Sequence, residues 1–308
     1  MTGRRRLGVT AATGAAFPAC TTMPVRRRAL AAVALAASVA PAPAAADRFE
    51  ALFAPRARPW ARWEGHDPGS ARRVDHAAWD RFLRAHVRRH ADGITRVAYG
   101  AVPGADRLAL RAYLGGLAAV PVTRLARPEQ FAFWVNLYNA LTVLVVLDAY
   151  PVASIRDITL SPGLFARGPW DARLIEIEGE ALTLNDVEHR ILRPIWRDPR
   201  VHYAVNCASL GCPNLMPEAF TAARAEPLLE AGARDHVNHP RGVTARPDGL
   251  RVSSIYAWFA EDFGGEAGVV PHLLRYAAPP LAEAIHRRPV LAGFGYDWSL
   301  NDARTASG

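Results

Sequence analysis

The chain of 308 residues contains no lysine; all 37 of its basic residues are arginine, a bias of composition more than of function. Other absences exclude more. The sequence has no glycine-rich phosphate loop, no GxSxG elbow and no HExxH pair. It therefore offers neither the backbone cradle of a P-loop enzyme, nor the exposed serine of an α/β-hydrolase, nor the two-histidine face of a zincin. No internal repeat marks a solenoid or a propeller. Positive charge is also scarcer than the formal +8 suggests. Six arginines (positions 4, 5, 6, 26, 27 and 28) precede the first acid, and beyond residue 46 the balance is 31 basic to 29 acidic residues, or +2. A patch that could grip nucleic acid is not expected.

What is present begins with an export signal. Met23 is followed by the basic Arg26-Arg27-Arg28, an uncharged alanine-rich run over 29–40, and the small residues Ala44-Ala45-Ala46. This order reads as a signal peptide starting at Met23 and cleaved before Asp47. The apolar run is shorter than the ~20 residues a membrane span requires. The predicted location is periplasmic or secreted, and Arg27-Arg28-Ala29-Leu30 fits either the general or the twin-arginine route. Cys20 would leave with the leader. Cys207 and Cys212 would remain as the only thiols, in an oxidising compartment where an even pair invites a disulfide.

The remaining chain reads as an irregular arm over 47–74, rich in Arg, Pro and Gly with Trp60 and Trp63, followed by a single globular domain over 75–308. Helical spacing is evident over 74–90 and 105–119. The uncharged run FAFWVNLYNALTVLVVL over 131–147 is apolar on nearly every side, as a buried central helix is. Its Asn136 and Asn139 share a face three residues apart, so they must bond loop backbone or a polar site. Alternating residues over 173–184 around Gly179 and over 243–253 around Pro247-Asp248-Gly249 predict two hairpins. Asn185 with Glu188 three positions on predicts a capped helix. Residues 201–205 and 294–298 read as short strands, and 217–237, 255–263 and 270–288 as helical. The fold class is α+β: a helix-rich domain around the central helix, with a small antiparallel sheet of short strands and hairpins.

The chemistry concentrates in VHYAVNCASLGCP, residues 201–213. Cys207 follows a predicted strand and enters a loop of small residues, where backbone N–H groups near Ala208 and Ser209 can face an oxyanion. A thiol needs a base or a positive environment to act as thiolate. His189 is the expected base, with Glu188 or Asp186 to orient it. His202 is the rival, although an extended strand would hold it roughly 16 Å from Cys207. A Cys207–Cys212 disulfide is the competing reading. A zinc site from both cysteines, His189 and His202 matches no standard ligand spacing. No metal and no cofactor is expected.

The segments FAFWVNLYNALTVLVVLDAYPVASIRDI, LTLNDVEHRILR, DPRVHYAVNCASLGCPNL and YDWSLN together resemble the family named domain of unknown function 547, over roughly residues 125–300. The resemblance implies a domain found in bacteria, often with a signal peptide, and in plants fused to coiled-coil regions, and marks Asn136, Tyr138, Asn139, Glu188, His189, His202, Cys207, Ser209 and Cys212 as its polar positions. It implies no reaction. The Cys/His/acid composition is loosely similar to papain-type and transglutaminase-type hydrolases, although there the cysteine precedes the histidine. Two functions follow as expectations. One is an exported thiol hydrolase or acyl transferase acting on a small-molecule or peptide-like substrate. The other is a non-catalytic envelope binding module in which Cys207–Cys212 is a structural bridge. Neither calls for a nucleic-acid partner or a transmembrane span in the mature chain.

Overall fold

A segment that is apolar on all sides is stable in water only where protein covers every side of it. In the computed structural model, which describes residues 54–163 and 167–306, that segment is the longest helix. The expected leader and its cleavage site lie outside the described residues. Helix α1 spans Ala77–His86, α2 Gly104–Ala118 and α3 Arg127–Ala149. Pro128 sits in the first turn of α3, where the missing N–H costs nothing. Every residue from Glu129 to Val143 is buried. By length and composition α3 could cross a membrane, but its most apolar window is wholly enclosed by the rest of the protein. Helix α2 packs along it and α1 packs on α2, and the arm docks through Trp63, which is buried edge-on against Trp134 at 5.2 Å between ring centroids.

Short strands supply the rest. Val87–Arg89 (β1) pairs antiparallel with Thr95–Val97 (β2), and Ile175–Ile177 (β3) with Glu180–Leu182 (β4). The third sheet joins Val243–Arg246 (β5) and Gly249–Ser253 (β6) as an antiparallel hairpin. Leu291–Gly295 (β7) then adds alongside β6 in parallel. The α+β class holds, with this one parallel pairing in place of a purely antiparallel arrangement. A second apolar cluster, including Val237, Leu250, Tyr256, Leu273 and Phe294, lies beneath that sheet.

Three local expectations are corrected. Residues Val201–Ala204 form a helical turn, not a strand. Val201, His202, Tyr203 and Ala204 are all buried, so the apolar spacing carried no information about which backbone period was in use. The stretch 217–224 is irregular, and helix begins only at Ala225, with Pro227 in its first turn. Third, the cap at 185–188 is displaced. Thr183 and Asp186 form the reciprocal pair: the Asp186 N–H donates to Thr183 Oγ1 at 3.0 Å, and the Thr183 N–H to Asp186 Oδ2 at 3.0 Å. Glu188 is therefore free of the cap. The chain from Asp186 to Leu192 winds as a π-helix before Arg193–Trp196 resumes an α-helical turn. Such wide turns are uncommon and are frequent at functional sites.

Candidate functional site

The loop after Ala204 is positioned by amides reaching from buried positions. Asn139 on α3 donates to the Ala204 carbonyl at 2.9 Å and accepts the Asn206 N–H at 2.9 Å. Asn136 makes the same two-way clasp on Phe220, donating to its carbonyl at 2.8 Å and accepting its N–H at 3.0 Å. Both amides serve as loop anchors, as a buried amide must where only backbone is within reach. Asn206 repeats the device: its Oδ1 accepts the Ala208 N–H at 2.8 Å, and its Nδ2 donates to Pro213 O at 2.8 Å. Ala208 is thereby held at φ 60°, a left-handed conformation that costs a residue with a Cβ about 1–2 kcal/mol. Its N–H is committed to Asn206, so it is no oxyanion donor, contrary to the sequence expectation.

This loop turns back so that both cysteines meet. They are unbonded: Cys207 Sγ and Cys212 Sγ stand 2.7 Å apart, beyond the ~2.05 Å of a disulfide. The Cys207 N–H and the Tyr296 hydroxyl each reach Cys212 Sγ at 3.0 Å. Ser209 Oγ donates to the Tyr296 hydroxyl at 2.8 Å and lies 3.3 Å from Cys207 Sγ. The Tyr296 hydroxyl also lies 3.1 Å from Cys207 Sγ, so the hydroxyls face both sulfurs, and the Cys207 N–H is the donor particular to Cys212. Burial alone would push the Cys212 thiol up, but hydrogen bonds from Cys207, Tyr296 and Ser209 outweigh it and bring it down to about 7. Cys207, bonded to that sulfur and itself desolvated, is pushed up. Cys207 is the more open of the two. Tyr296 arrives from far along the chain because Gly211 lets the backbone approach: a Cβ there would lie 2.7 Å from the Asp297 nitrogen.

A second cluster presents Glu188, His189 and His202 to the same cavity, with further charged groups packed behind them. His202 Nε2 bonds Asp262 Oδ2 at 2.7 Å, its Nδ1 faces Glu188 at 3.7 Å, and its ring stacks on Phe259 at 4.5 Å. Glu188 also takes the Tyr138 hydroxyl. Arg193, almost wholly buried, binds Asp262 at 2.5 Å, Glu261 at 2.9 Å and His189 Nδ1 at 3.0 Å. Arginine always donates, so His189 Nδ1 must accept, and a neutral His189 carries its proton on Nε2. Burial is the main cause that lowers His189 to about 4; Glu188 opposes it and Arg193 adds to it. Asp262 would be raised by burial, yet its bonds from His202 and Arg193 hold it at about 2.

Cys207, Cys212, Tyr138, Glu188, His189 and His202 all line one cavity of about 710 Å³, in the range of small-molecule sites. The expected trio of Cys207, His189 and Glu188 is brought to one chamber but not to one hydrogen-bonded chain. Neither sulfur has an imidazole among its hydrogen-bond partners; their partners are each other, Ser209 and Tyr296. Among the described residues no group of three or more His, Cys, Asp or Glu side chains is arranged to hold a metal ion. Tyr296, Asp262, Arg193, Trp258 and Trp298 were not singled out as site residues by the sequence reading. The only signal for any of them was the aromatic pair in the terminal YDWSLN segment.

No curated protein and no solved structure matches the chain. Residues 122–237 match the family described as Protein of unknown function, DUF547. That segment holds α3, the π-helical turn and both cysteines, and it ends before Asp262 and Tyr296. Over these residues the chain is similar to the DUF547 family.

Proposed function

We propose that this protein is an exported thiol-dependent hydrolase or acyl transferase whose nucleophile is Cys207 and whose proton acceptor is Cys212. The observation that carries the reading is the free thiol pair, hydrogen-bonded to itself and to Tyr296 in the wall of a large cavity. In the resting site the proton lies on Cys207 and the negative charge on Cys212. As Cys207 Sγ bonds an acyl carbon, its proton passes to Cys212; the bond to the leaving group then breaks and that proton leaves with it. Water, or a second acceptor, cleaves the resulting thioester. In this scheme His189 is a neutral wall residue. Glu188 and His202 form the polar floor, and the Ser209–Tyr296 hydroxyl chain stabilises the thiolate. The export signal over 23–46 belongs to the same proposal.

The test uses p-nitrophenyl acetate on the reduced mature protein. An acetyl adduct on Cys207, absent in Cys207→Ser and slowed in Cys212→Ser, is the expected result. An adduct elsewhere, or none, contradicts it. A second reading has its own support: sulfurs 2.7 Å apart are within easy reach of a bond, which favours an envelope binding module with a Cys207–Cys212 bridge. Protein isolated without reductant from the exported fraction would then be two hydrogen masses lighter and inert to alkylation, and would keep its ligand binding on full oxidation.

A further inference from the structure

The cavity contains cations that the thiol chemistry does not use. Arg156 and Arg167 both line it. Each carboxylate nearby is already engaged: Glu188 with Tyr138 and the two histidines, Asp171 with the Asn185 amide at 2.6 Å. Among the described residues no acid stands within ion-pair distance of Arg156 or Arg167. Arg156 instead lies over the Trp298 ring, 4.9 Å from its centroid. A guanidinium stacked by its face keeps its in-plane N–H donors free for a bidentate acceptor. Beside it runs a wall of rings. Trp258 stacks on Trp298 at 5.6 Å, Tyr296 lies 4.7 Å from Trp298, and Trp170 stands edge-on to it at 5.8 Å.

We infer that the site takes an organic acid: a carboxylate held at Arg156, with Arg167 adding charge, and a flat or acyl body laid on the Trp258–Trp298 wall. The inference rests on this cavity being the substrate site proposed above, and does not require the thiols to react. A wholly apolar ligand would leave the half-buried Arg156 without an acceptor, and a small inorganic anion would leave the aromatic wall unused. The combination selects a ligand carrying both parts.

The probes are 3-phenylpropionate and 3-phenyl-1-propanol, which share a body, differ in charge and contain no acyl bond for a thiol to cleave. Calorimetric titration of the reduced wild-type protein is expected to give at least about tenfold tighter binding of the acid, the size of one charge-assisted contact. That advantage shrinks as salt rises. Arg156→Gln brings the two affinities together without weakening the alcohol. The bound acid also slows alkylation of Cys207. Equal affinities in the wild type, binding of neither probe, or an unchanged preference in Arg156→Gln overturns the inference. Acid binding with no acetylation of Cys207 leaves this inference standing and removes the thiol mechanism. Acetylation without any preference for the acid does the reverse.

Discussion

The two polar clusters that meet at the cavity differ in kind; Glu188, His189 and His202 face it from one, and Cys207, Cys212 and Tyr296 from the other. In the cluster built from Glu188, His189, Arg193, His202 and Asp262, charges are opposed by charges: one buried guanidinium reaches two carboxylates and an imidazole nitrogen, and the histidine beside it bonds one of the same acids. In the cluster built from Cys207, Ser209, Cys212 and Tyr296, two thiols and two hydroxyls share their protons beside a single developing charge. A saturated ion network resists change, because moving any member strands another in a region poor in water. A proton shared between sulfurs moves at little cost. The first cluster is therefore read as a rigid wall and the second as the reactive edge, although composition alone suggested that cysteine and histidine would act as one unit.

Four perturbations separate them. The largest effect is expected from Arg193→Ala. Stranding Asp262 should cost about 3–5 kcal/mol of stability in denaturant unfolding, the range for breaking a buried ion pair, while the half-exposed Glu261 regains water. The folded fraction should keep the thiol titration of the wild type. If that titration moved strongly, the clusters would be coupled. Asn139→Ala strikes the other side. It leaves the Asn206 N–H and the Ala204 carbonyl unpaired, about 1–3 kcal/mol for each buried group. It should also slow alkylation of Cys207, because the loop loses its anchor.

Acid acts through the buried histidines, of which His189 belongs to the charged cluster. His189 has a folded pKa of about 4, below the 6.5 of an exposed histidine. The unfolded chain therefore binds the extra proton in that interval. The stability tied to neutral His189 is complete above 6.5 and is lost as pH falls toward 4, with a slope of up to about 1.4 kcal/mol per pH unit. Asp262 stays ionised until about 2 and takes no part in this limb. His76 and His272, both also lowered to about 4 chiefly by burial, add to it. Chemical denaturation between pH 7 and 4 checks the slope, which His189→Gln should make shallower. The smallest stability change belongs to Tyr296→Phe, about 1 kcal/mol for each of the bonds its hydroxyl makes to Cys212 and Ser209. Its signature lies in chemistry: without that donor the thiol titration should move upward.

The parts of the fold that were legible in the sequence are those fixed locally. Gly179 and Pro247-Asp248-Gly249 mark hairpins through turn geometry, and the run 131–147 marks the core helix because nothing in it tolerates water. Asn136 and Asn139 were legible as amides needing partners, and both found loop backbone. The segment 201–205 was not legible, since burial on every side erases the difference between a period of two and one of 3.6. The cap was misplaced because Asn185 and Thr183 are both good cap residues, and the choice between them depends on how β4 ends. Tyr296 stands 89 residues from Cys207, and Asp262 stands 60 from His202. Their meeting is a product of tertiary packing, permitted in part by one glycine at 211, and no local pattern records it.

The central claim is that the thiol pair, without an imidazole, holds a thiolate near neutral pH. It is tested most directly by the rate of iodoacetamide alkylation of the reduced protein from pH 5 to 10, with the modified cysteine mapped at each point. The account predicts a rate that rises through a midpoint near 7 and levels off, with one adduct per molecule on the thiol pair. A rate still climbing through about 8.5, the range of an unperturbed thiol, would contradict it.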